Sequence, residues 1–556
     1  MQPPIFGFNQ QRDAIVDEVV HRVCDGVRDP KLVLNEAAFL EVKRQRAAGS
    51  DDIVPYAQWR ALARSLGRIS KEESLEKLRD IVRRYAGDVA GNFDPRVYKF
   101  ATRALPGLLG GLLSPRETVK NLPRILAAMR PGGAGAALAM LDDRVIVDGP
   151  IDTIRELTNL GTIVFVPTHL SNLDSVVFGF ALERAQLPPA TYGAGKNLFT
   201  NPVLSFFMQN LGAYRVDRRL KHGLYKDVLK AYSCVLIERG YHSLFFPGGT
   251  RSRSGGVERR LKLGLAGTAV EAFARTTAAG RPQKVFFVPA TINYLLTLEA
   301  ETLIDDFLQE EGKARYIIED DESTRLGRVT AFLQKLLGLD AGCVIRFSAP
   351  MDCFGNSVDA KGSSFDTRGR KVDPTSYTLG AGDVPTHDPA REAQYTRELG
   401  DVITDAFRRD TVAMSTHLVA AAAFARLHAS AARGGRDPRD VFAMLRHVDG
   451  VAVSREDLAH DVDALLGRAA ELERKGEIVL ARNLRGKGGD QVLTDALRAF
   501  AGYHSGPVIQ AAPDRGSTRG GELVLADPRL LFYYQNRLAA HGLGIDFIAP
   551  KTRAPS

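Results

Sequence analysis

The chain has 556 residues, 44% of them hydrophobic and 25% charged, and carries a net charge of +8. That length is enough for a large core and for more than one domain. The positive balance favours anionic partners such as phosphate esters or acidic lipid headgroups. The sequence shows no aromatic-interleaved basic motif and no Cys/His finger, which argues against nucleic acid.

Residues 1–145 read as helices. In 14–27 and 75–85 apolar residues recur at three- and four-residue intervals with charges between them. The start, MQPPIFGFNQQRD, lacks the basic region and apolar run of a signal peptide. Residues 104–140 are rich in Gly, Pro, Leu and Ala, with Arg116, Lys120, Arg124 and Arg130 interspersed. Two readings stay open for them: a membrane-interface segment, or a helix pair packed on the next domain. The nearest candidate for a membrane span, 104–113, is broken by Gly and Pro and falls short of the roughly 18 residues a bilayer span needs.

From 146 to about 350, short apolar runs alternate with helical stretches. Strands are expected at 162–166, 243–246, 285–289 and 343–347, and the alternation predicts an α/β domain with a largely parallel sheet. Residues 348–388 read as an irregular excursion, and 389–556 as helices again, at 391–409, 417–432, 455–475 and 526–540. Ser454 is placed as an N-cap, with Asp457 three residues on. No internal repeat is evident. The scattered Cys24, Cys234, Cys343 and Cys353 lack metal or disulfide spacing and read as reduced, buried thiols of a cytoplasmic protein.

The chemistry concentrates where the first strand of this domain ends, in FVPTHLSNLD. His169 follows a buried run at once, and Asp174 lies five residues later, at the start of the next helix. A carboxylate there can hold one ring nitrogen in the N–H form and leave the other free to take a proton, which suits base catalysis on an alcohol. The same spacing occurs at His222 and Asp227, in KHGLYKD, where the polar surroundings predict a solvated helix face.

Three further blocks follow in order: AGKNLFTNPVLSFFMQNLGAYRVDRR, LFFPGGTRSRSG and VFFVPATINY. Together with THLSNLD they resemble, block for block, the glycerolipid acyltransferases, which include glycerol-3-phosphate and lysophosphatidate acyltransferases. The resemblance covers about residues 145–300. With it come expectations: His169 as general base, Asp174 as its orienting carboxylate, and Gly249, Thr250, Arg251 and Arg253 as a phosphate-binding loop. Guanidinium forks suit phosphate oxygens, and the glycines allow close backbone approach. Lys262 adds a basic residue. From the second block, Asn197 and Arg218 are expected at the acceptor, Arg218 ahead of Arg215; Lys196 and Arg219 lie close by in sequence. VPATINY reads mainly as a buried strand. One departure stands out: where the family usually has glutamate before the glycine, this chain has Gly248, and Glu258 lies too far along to be a substitute on spacing grounds.

The resemblance thus implies an α/β fold, a glycerol-phosphate acyltransferase-like sheet flanked by helices, with helical regions before (1–145) and after (386–556) a domain at 146–385. It implies transfer of a fatty acyl group from acyl-CoA or acyl carrier protein to glycerol-3-phosphate, in phospholipid biosynthesis. The alternatives are a lysophosphatidate or other lysophospholipid acyltransferase and a non-enzymatic lipid-binding protein. No metal or cofactor beyond the acyl thioester is expected. The expected location is the cytoplasmic face of a membrane, peripheral or monotopic, on an anionic surface. The absence of a GxSxG elbow argues against a serine hydrolase.

Overall fold

The computed structural model describes residues 3–48, 52–102, 145–196, 199, 202–311, 342–434, 441, 445, 450–501, 503–512 and 521–544. The apolar and basic stretch 104–140 and Asn197 lie outside the described residues.

The first region is helical: α1 (Phe8–Asp25), α2 (Pro30–Ala48), α3 (Tyr56–Ser65) and α4 (Lys71–Val89). The sequence explains how α4 starts. Ser70 accepts from the Glu73 N–H while the Glu73 side chain accepts from the Ser70 N–H, so two N–H groups left over at the helix start are satisfied. The apolar faces of these helices close over Trp59 and Tyr85, both fully buried.

In the central domain, β1 (Val145–Asp148) is followed by α5 (Ile151–Thr158), β2 (Thr162–Pro167) and α6 (Asp174–Arg184). Next come β3 (Thr191–Gly195), α7 (Pro202–Asn210), β4 (Ala213–Val216) and α8 (Gly223–Glu238). Then follow β5 (Ser243–Leu244), α9 (Gly264–Ala278), β6 (Val285–Tyr294), α10 (Ala300–Glu311) and β7 (Cys343–Phe347). Strands β6, β2, β5, β3 and β4 lie side by side in that order, all parallel. Every residue of β2 and β6 is buried, as expected of strands with helices over both faces.

The expectation of a largely parallel sheet needs correction on the far side of β6. There β7 and β8 (Met351–Asp352) pair antiparallel, and β1 joins β7 in parallel, so the sheet is mixed. Residues 348–388 are also more regular than their composition suggested. Short antiparallel strands β9 (Ser357–Val358), β10 (Ser364–Phe365) and β11 (Lys371–Val372) extend the sheet from β8. Their turns share one device spaced seven residues apart: Asp352, Asp359 and Asp366 each precede, by three, a glycine at positive φ (Gly355, Gly362, Gly369). The Asp carbonyl accepts from the Gly N–H, and the carboxylate accepts main-chain N–H groups within the turn, as Asp359 does from Lys361 and Ser363. This is an internal repeat too short to show against the surrounding Gly, Asp and Ser.

The last region holds α11 (Pro389–Arg409), β12 (Val412–Ala413), α12 (Ser415–Arg433), β13 (Val451–Ser454) and α13 (Arg455–Arg474). After these come β14 (Val479–Leu480), α14 (Gly489–Phe500), β15 (Ile509–Ala511), β16 (Glu522–Leu525) and α15 (Pro528–Ala539). Ser454 does cap α13, accepting from the Asp457 N–H at 3.4 Å. The strands were not expected; β13, β16 and β15 form a small antiparallel sheet. Alanine-rich α12 is almost wholly buried, and one continuous core joins it, α13, α14 and α15 to β2, β6 and β7.

The N-terminal helices form a second core with α8, and Arg22 of α1 grips Glu238 of α8 with two hydrogen bonds of 2.8 and 2.7 Å. All four cysteines are buried, and none forms a disulfide. Among the described residues no helix is long and apolar enough to cross a membrane.

Two buried histidines give stability a pH dependence. His242 accepts the Ile163 N–H at 3.0 Å, and His417 accepts the Met414 N–H at 3.3 Å. Desolvation lowers their pKa values to about 4 and about 3, with Arg537 adding to the effect on His417. Both lie below the unfolded value of about 6.5, so their contribution is complete above that pH and is lost as pH falls towards the folded values. Urea unfolding at pH 7 and pH 5 should show each histidine losing about 2 kcal/mol of its contribution. In His242→Gln, which cannot take up the proton, the acid loss should shrink by that share.

Candidate active site

Strand β2 ends at Pro167, and the turn His169–Leu173 leads directly into α6, whose first residue is Asp174. Asp174 is fully buried, and its carboxylate receives four donors. Oδ2 accepts from His169 Nδ1 at 2.8 Å, from the Leu170 N–H at 2.6 Å and from the Ser171 N–H at 2.9 Å. Oδ1 accepts from the Tyr294 hydroxyl at 2.8 Å. A carboxylate in this position only accepts, so Nδ1 carries the ring proton and Nε2 presents a lone pair.

Nε2 makes no hydrogen bond among the described residues, and the imidazole, 14% exposed, stacks on Phe246 with ring centroids 4.3 Å apart. The arrangement suits a base: an imidazole of fixed tautomer at the C-terminal edge of parallel strands, where such folds place their chemistry. Burial and Asp174 together push the Tyr294 hydroxyl well above its ordinary pKa, so it stays a proton donor to the carboxylate.

The loop after β5 carries the glycines and arginines. Gly249 adopts φ +69°, and a Cβ there would lie 2.5 Å from Lys262 Cδ, because the Lys262 stem crosses this glycine. The Lys262 N–H also donates to the Pro247 carbonyl at 2.6 Å. Thr250 is exposed beside it. Arg251 pairs with fully buried Glu299 at 3.3 Å, and Arg253 with Asp306 at 3.1 Å. Glu299 also accepts the Asn172 N–H at 3.0 Å, so one carboxylate joins the His169 turn to Arg251. The Ser252 N–H donates to the His169 carbonyl at 2.8 Å, a second tie between the two loops.

The basic residues of the second block divide cleanly. Arg215 pairs with Asp88 at 3.3 Å and lies over the Phe199 ring, while Arg219 pairs with Asp217 and Asp52. Lys196 lies 3.8 Å from Asp217 and 3.9 Å from Asp88. Arg218 has no carboxylate partner among the described residues. Desolvation first, and then the positive charge of Arg251, hold its pKa below the usual guanidinium value, so Arg218 and Arg251 share one electrostatic neighbourhood. Two like charges held close suit a multiply charged anion.

The structure therefore brings together His169, Asp174, Arg218, Gly249, Thr250, Arg251, Arg253 and Lys262, while Asn197 lies outside the described residues. His222 does not form a solvated face. It is buried, caps α8 by accepting the Tyr225 N–H at 3.3 Å, and lies 3.2 Å from the Tyr85 hydroxyl. The N-terminal helices cover it, which local polarity could not reveal.

Glu258 also needs correction. Though ten residues beyond Gly248, it folds back beside it, with Oε1 accepting the His169 N–H at 2.7 Å. Sequence reasoning missed the roles of Tyr294, Glu299 and Phe246 as well. Glu299, a lone acid in the apolar run YLLTLEA, did carry a signal, since a buried carboxylate needs partners. Among the described residues, no group of His, Cys, Asp and Glu could hold a metal ion.

Comparison with known proteins places this site in a class. Residues 151–293, the segment carrying His169, Asp174 and the arginine loop, match the acyltransferase family model, in line with the resemblance of the four blocks. More particularly, the chain is 31% identical over 157 residues to a glycerol-3-phosphate acyltransferase of Pseudomonas paraeruginosa, covering 28% of this chain and 18% of that one. It is 30% identical over 202 residues to the glycerol-3-phosphate acyltransferase of Pasteurella multocida, covering 36% and 23%. The chain thus spans less than a quarter of the length of the curated relatives it matches. A solved 1-acyl-sn-glycerophosphate acyltransferase from Thermotoga maritima aligns with a TM-score of 0.24 and 15% identity, over 58% of this chain and 86% of that one.

The four donors on Asp174 make unequal contributions. Asp174→Asn removes the charge that steadies the His169 ring and puts an NH₂ where a carboxylate oxygen accepts, and should lower turnover in a His169-dependent reaction by about 100-fold or more. Tyr294→Phe removes a single donor and should cost about tenfold at most. Steady-state assays of both variants beside circular-dichroism melts would check this order.

Proposed function

We propose that this protein transfers a fatty acyl group from an acyl thioester to a hydroxyl of glycerol-3-phosphate. The observation that carries the reading is the His169–Asp174 pair, with Nε2 open, next to a loop presenting Arg251 with Arg218 nearby. The names of the similar proteins supply the acceptor class.

In the proposed step, Nε2 of His169 takes the proton of the acceptor hydroxyl as its oxygen attacks the thioester carbonyl. The C–O bond forms and the C–S bond breaks. The departing thiolate receives the proton from the imidazolium, whose charge Asp174 offsets. The products are an ester and a free thiol, and no acyl-enzyme is needed. General-base catalysis contributes on the order of 10²–10⁴-fold, and positioning of the two substrates accounts for much of the rest.

Arg251, Arg253, Arg218 and Lys262 are the proposed phosphate ligands. Arg251 and Arg253 rest on Glu299 and Asp306, so an arriving phosphate would exchange one anionic partner for another. Peripheral attachment to an anionic membrane belongs to the same proposal. It is supported by the +8 charge and by Leu32, Phe39, Phe100 and Phe206, each more than half exposed.

The test is thiol release from palmitoyl-CoA, or from a palmitoylated carrier protein, in mixed micelles. Glycerol-3-phosphate and lysophosphatidate are supplied in separate reactions. Release that depends on glycerol-3-phosphate and vanishes in His169→Ala is the expected result; release only with lysophosphatidate would move the assignment to that acceptor. Arg251→Ala should raise the KM for the phosphorylated acceptor by about 10- to 100-fold, the value of one charged hydrogen-bonding contact.

A further inference from the structure

Both peptide groups flanking the His169 Cα are held by one short stretch of chain. The N–H donates to Glu258 Oε1 at 2.7 Å, and the carbonyl accepts from the Ser252 N–H at 2.8 Å. Between those two anchors lies Arg253, and Arg251 immediately precedes them. The stretch is itself braced: Ser252 Oγ donates to the Gly256 carbonyl at 2.7 Å, and Asn536 of α15 donates to the Ser254 carbonyl at 2.9 Å.

Glu258 reaches His169 through a gap. A Cβ at Gly248 would be tight against the Thr250 carbonyl oxygen at 3.1 Å and in contact with Glu258, 3.4 Å from Cγ and 3.7 Å from Oε1, so a second carboxylate built from 248 would start beside that of Glu258. The second carboxylate oxygen, Oε2, is enclosed and has no hydrogen-bond partner among the described residues. Desolvation raises the pKa of Glu258, opposed by the His169 amide and by the charge of buried Arg537. An enclosed carboxylate is costly to bury, and the His169 N–H and the charge of Arg537 are the contacts that offset it.

We propose that Glu258 is a positioning residue that ties the main chain of His169 to the arginine loop, with Gly248 as the gap that admits its carboxylate. The inference rests on the reading of His169 as base and of the arginine loop as phosphate cradle. Its consequence is a coupling: a phosphate seated on Arg251 and Arg253 fixes the stretch 252–258, and that stretch fixes the base. It also predicts that glutamate at 248 is harmful while Glu258 is present, because two carboxylates would then crowd one enclosed place.

The full-length protein is compared with Glu258→Ala, Glu258→Gln, Gly248→Glu and the double variant Gly248→Glu/Glu258→Ala. A positioning role predicts that Glu258→Ala lowers kcat about tenfold or more while KM for glycerol-3-phosphate stays within about threefold. Glu258→Gln keeps an oxygen for the His169 N–H and should stay within about threefold of wild type. Gly248→Glu should lose most activity, and the double variant should recover about tenfold over it. Exchange of the His169 amide, followed by mass spectrometry, should speed up about tenfold in Glu258→Ala but not in Glu258→Gln.

A rise in KM with unchanged kcat would overturn the proposal in favour of direct acceptor contact. Unchanged amide exchange in Glu258→Ala, or simple additivity of the two substitutions, would also overturn it. Absence of turnover in the wild type with every donor and acceptor would sink the functional reading instead, and the exchange measurement would still decide whether the tether exists.

Discussion

A single ionised group organises this molecule: the Asp174 carboxylate, shut away from water at the junction of β2 and α6. Burying such a charge without partners would cost several kcal/mol, and the fold answers with four donors from separate sources. Two are main-chain N–H groups of the turn that starts α6, which places the carboxylate at the positive end of that helix. The third is the imidazole. The fourth is the Tyr294 hydroxyl, delivered by β6 because β2 and β6 run parallel in fixed register, Pro167 opposite Ala290, with Tyr294 four residues further along. Slipping that register by one residue would turn Tyr294 to the other face of the sheet. Strand pairing deep in the core and the tautomer of His169 are therefore one constraint.

Around that fixed point the cations are arranged by how firmly they are already neutralised. Arg219 and Arg215 are tied to Asp217, Asp52 and Asp88, and they fasten the second block to the N-terminal helices. Arg251 and Arg253 hold acids that belong to the segment after β6, so the charge pattern joins the turn after β2 and the loops after β5 and β6 into one rim. Arg218 carries its charge without such a partner among the described residues. Ion pairs of this kind brace the rim, and the charge of Arg218 suits the proposed phosphate.

Much of this was legible in the chain. The buried run before His169 and the carboxylate five residues later offered the dyad, with a strand end and a helix start to put both groups on one edge of the sheet, and the resemblance of the four blocks together singled it out from the like-spaced His222 and Asp227. The arginine loop was legible for the same reason. What escaped was long-range. Glu258 was set aside on spacing, yet a chain that doubles back after Gly255 makes sequence distance a poor guide to contact. His222 looked solvated because the helices covering it come from more than a hundred residues away. The repeated Asp-Gly turns of 352–369 looked irregular because each strand between them is only two residues long, too short for an alternating pattern to register.

The C-terminal region belongs to the same electrostatic unit. Gly255 sits at φ +77° directly beneath the Tyr533 carbonyl, where any side chain would overlap it, so α15 presses on the arginine loop itself. One turn further on, buried Arg537 donates to the Ile292 carbonyl and to Asn293 Oδ1, and its charge acts on both Glu258 and Asp174. Desolvation lowers the Arg537 pKa, yet a guanidinium this basic keeps its proton. Three enclosed carboxylates, Asp174, Glu258 and Glu299, thus meet the His169 turn, and a cation from the far end of the chain offsets Asp174 and Glu258. Removing α15 would leave those two negative charges facing one another with less to balance them. The His169–Asp174 pair is thus tied to a helix more than three hundred residues away, which fits the continuous core that the C-terminal helices share with the sheet.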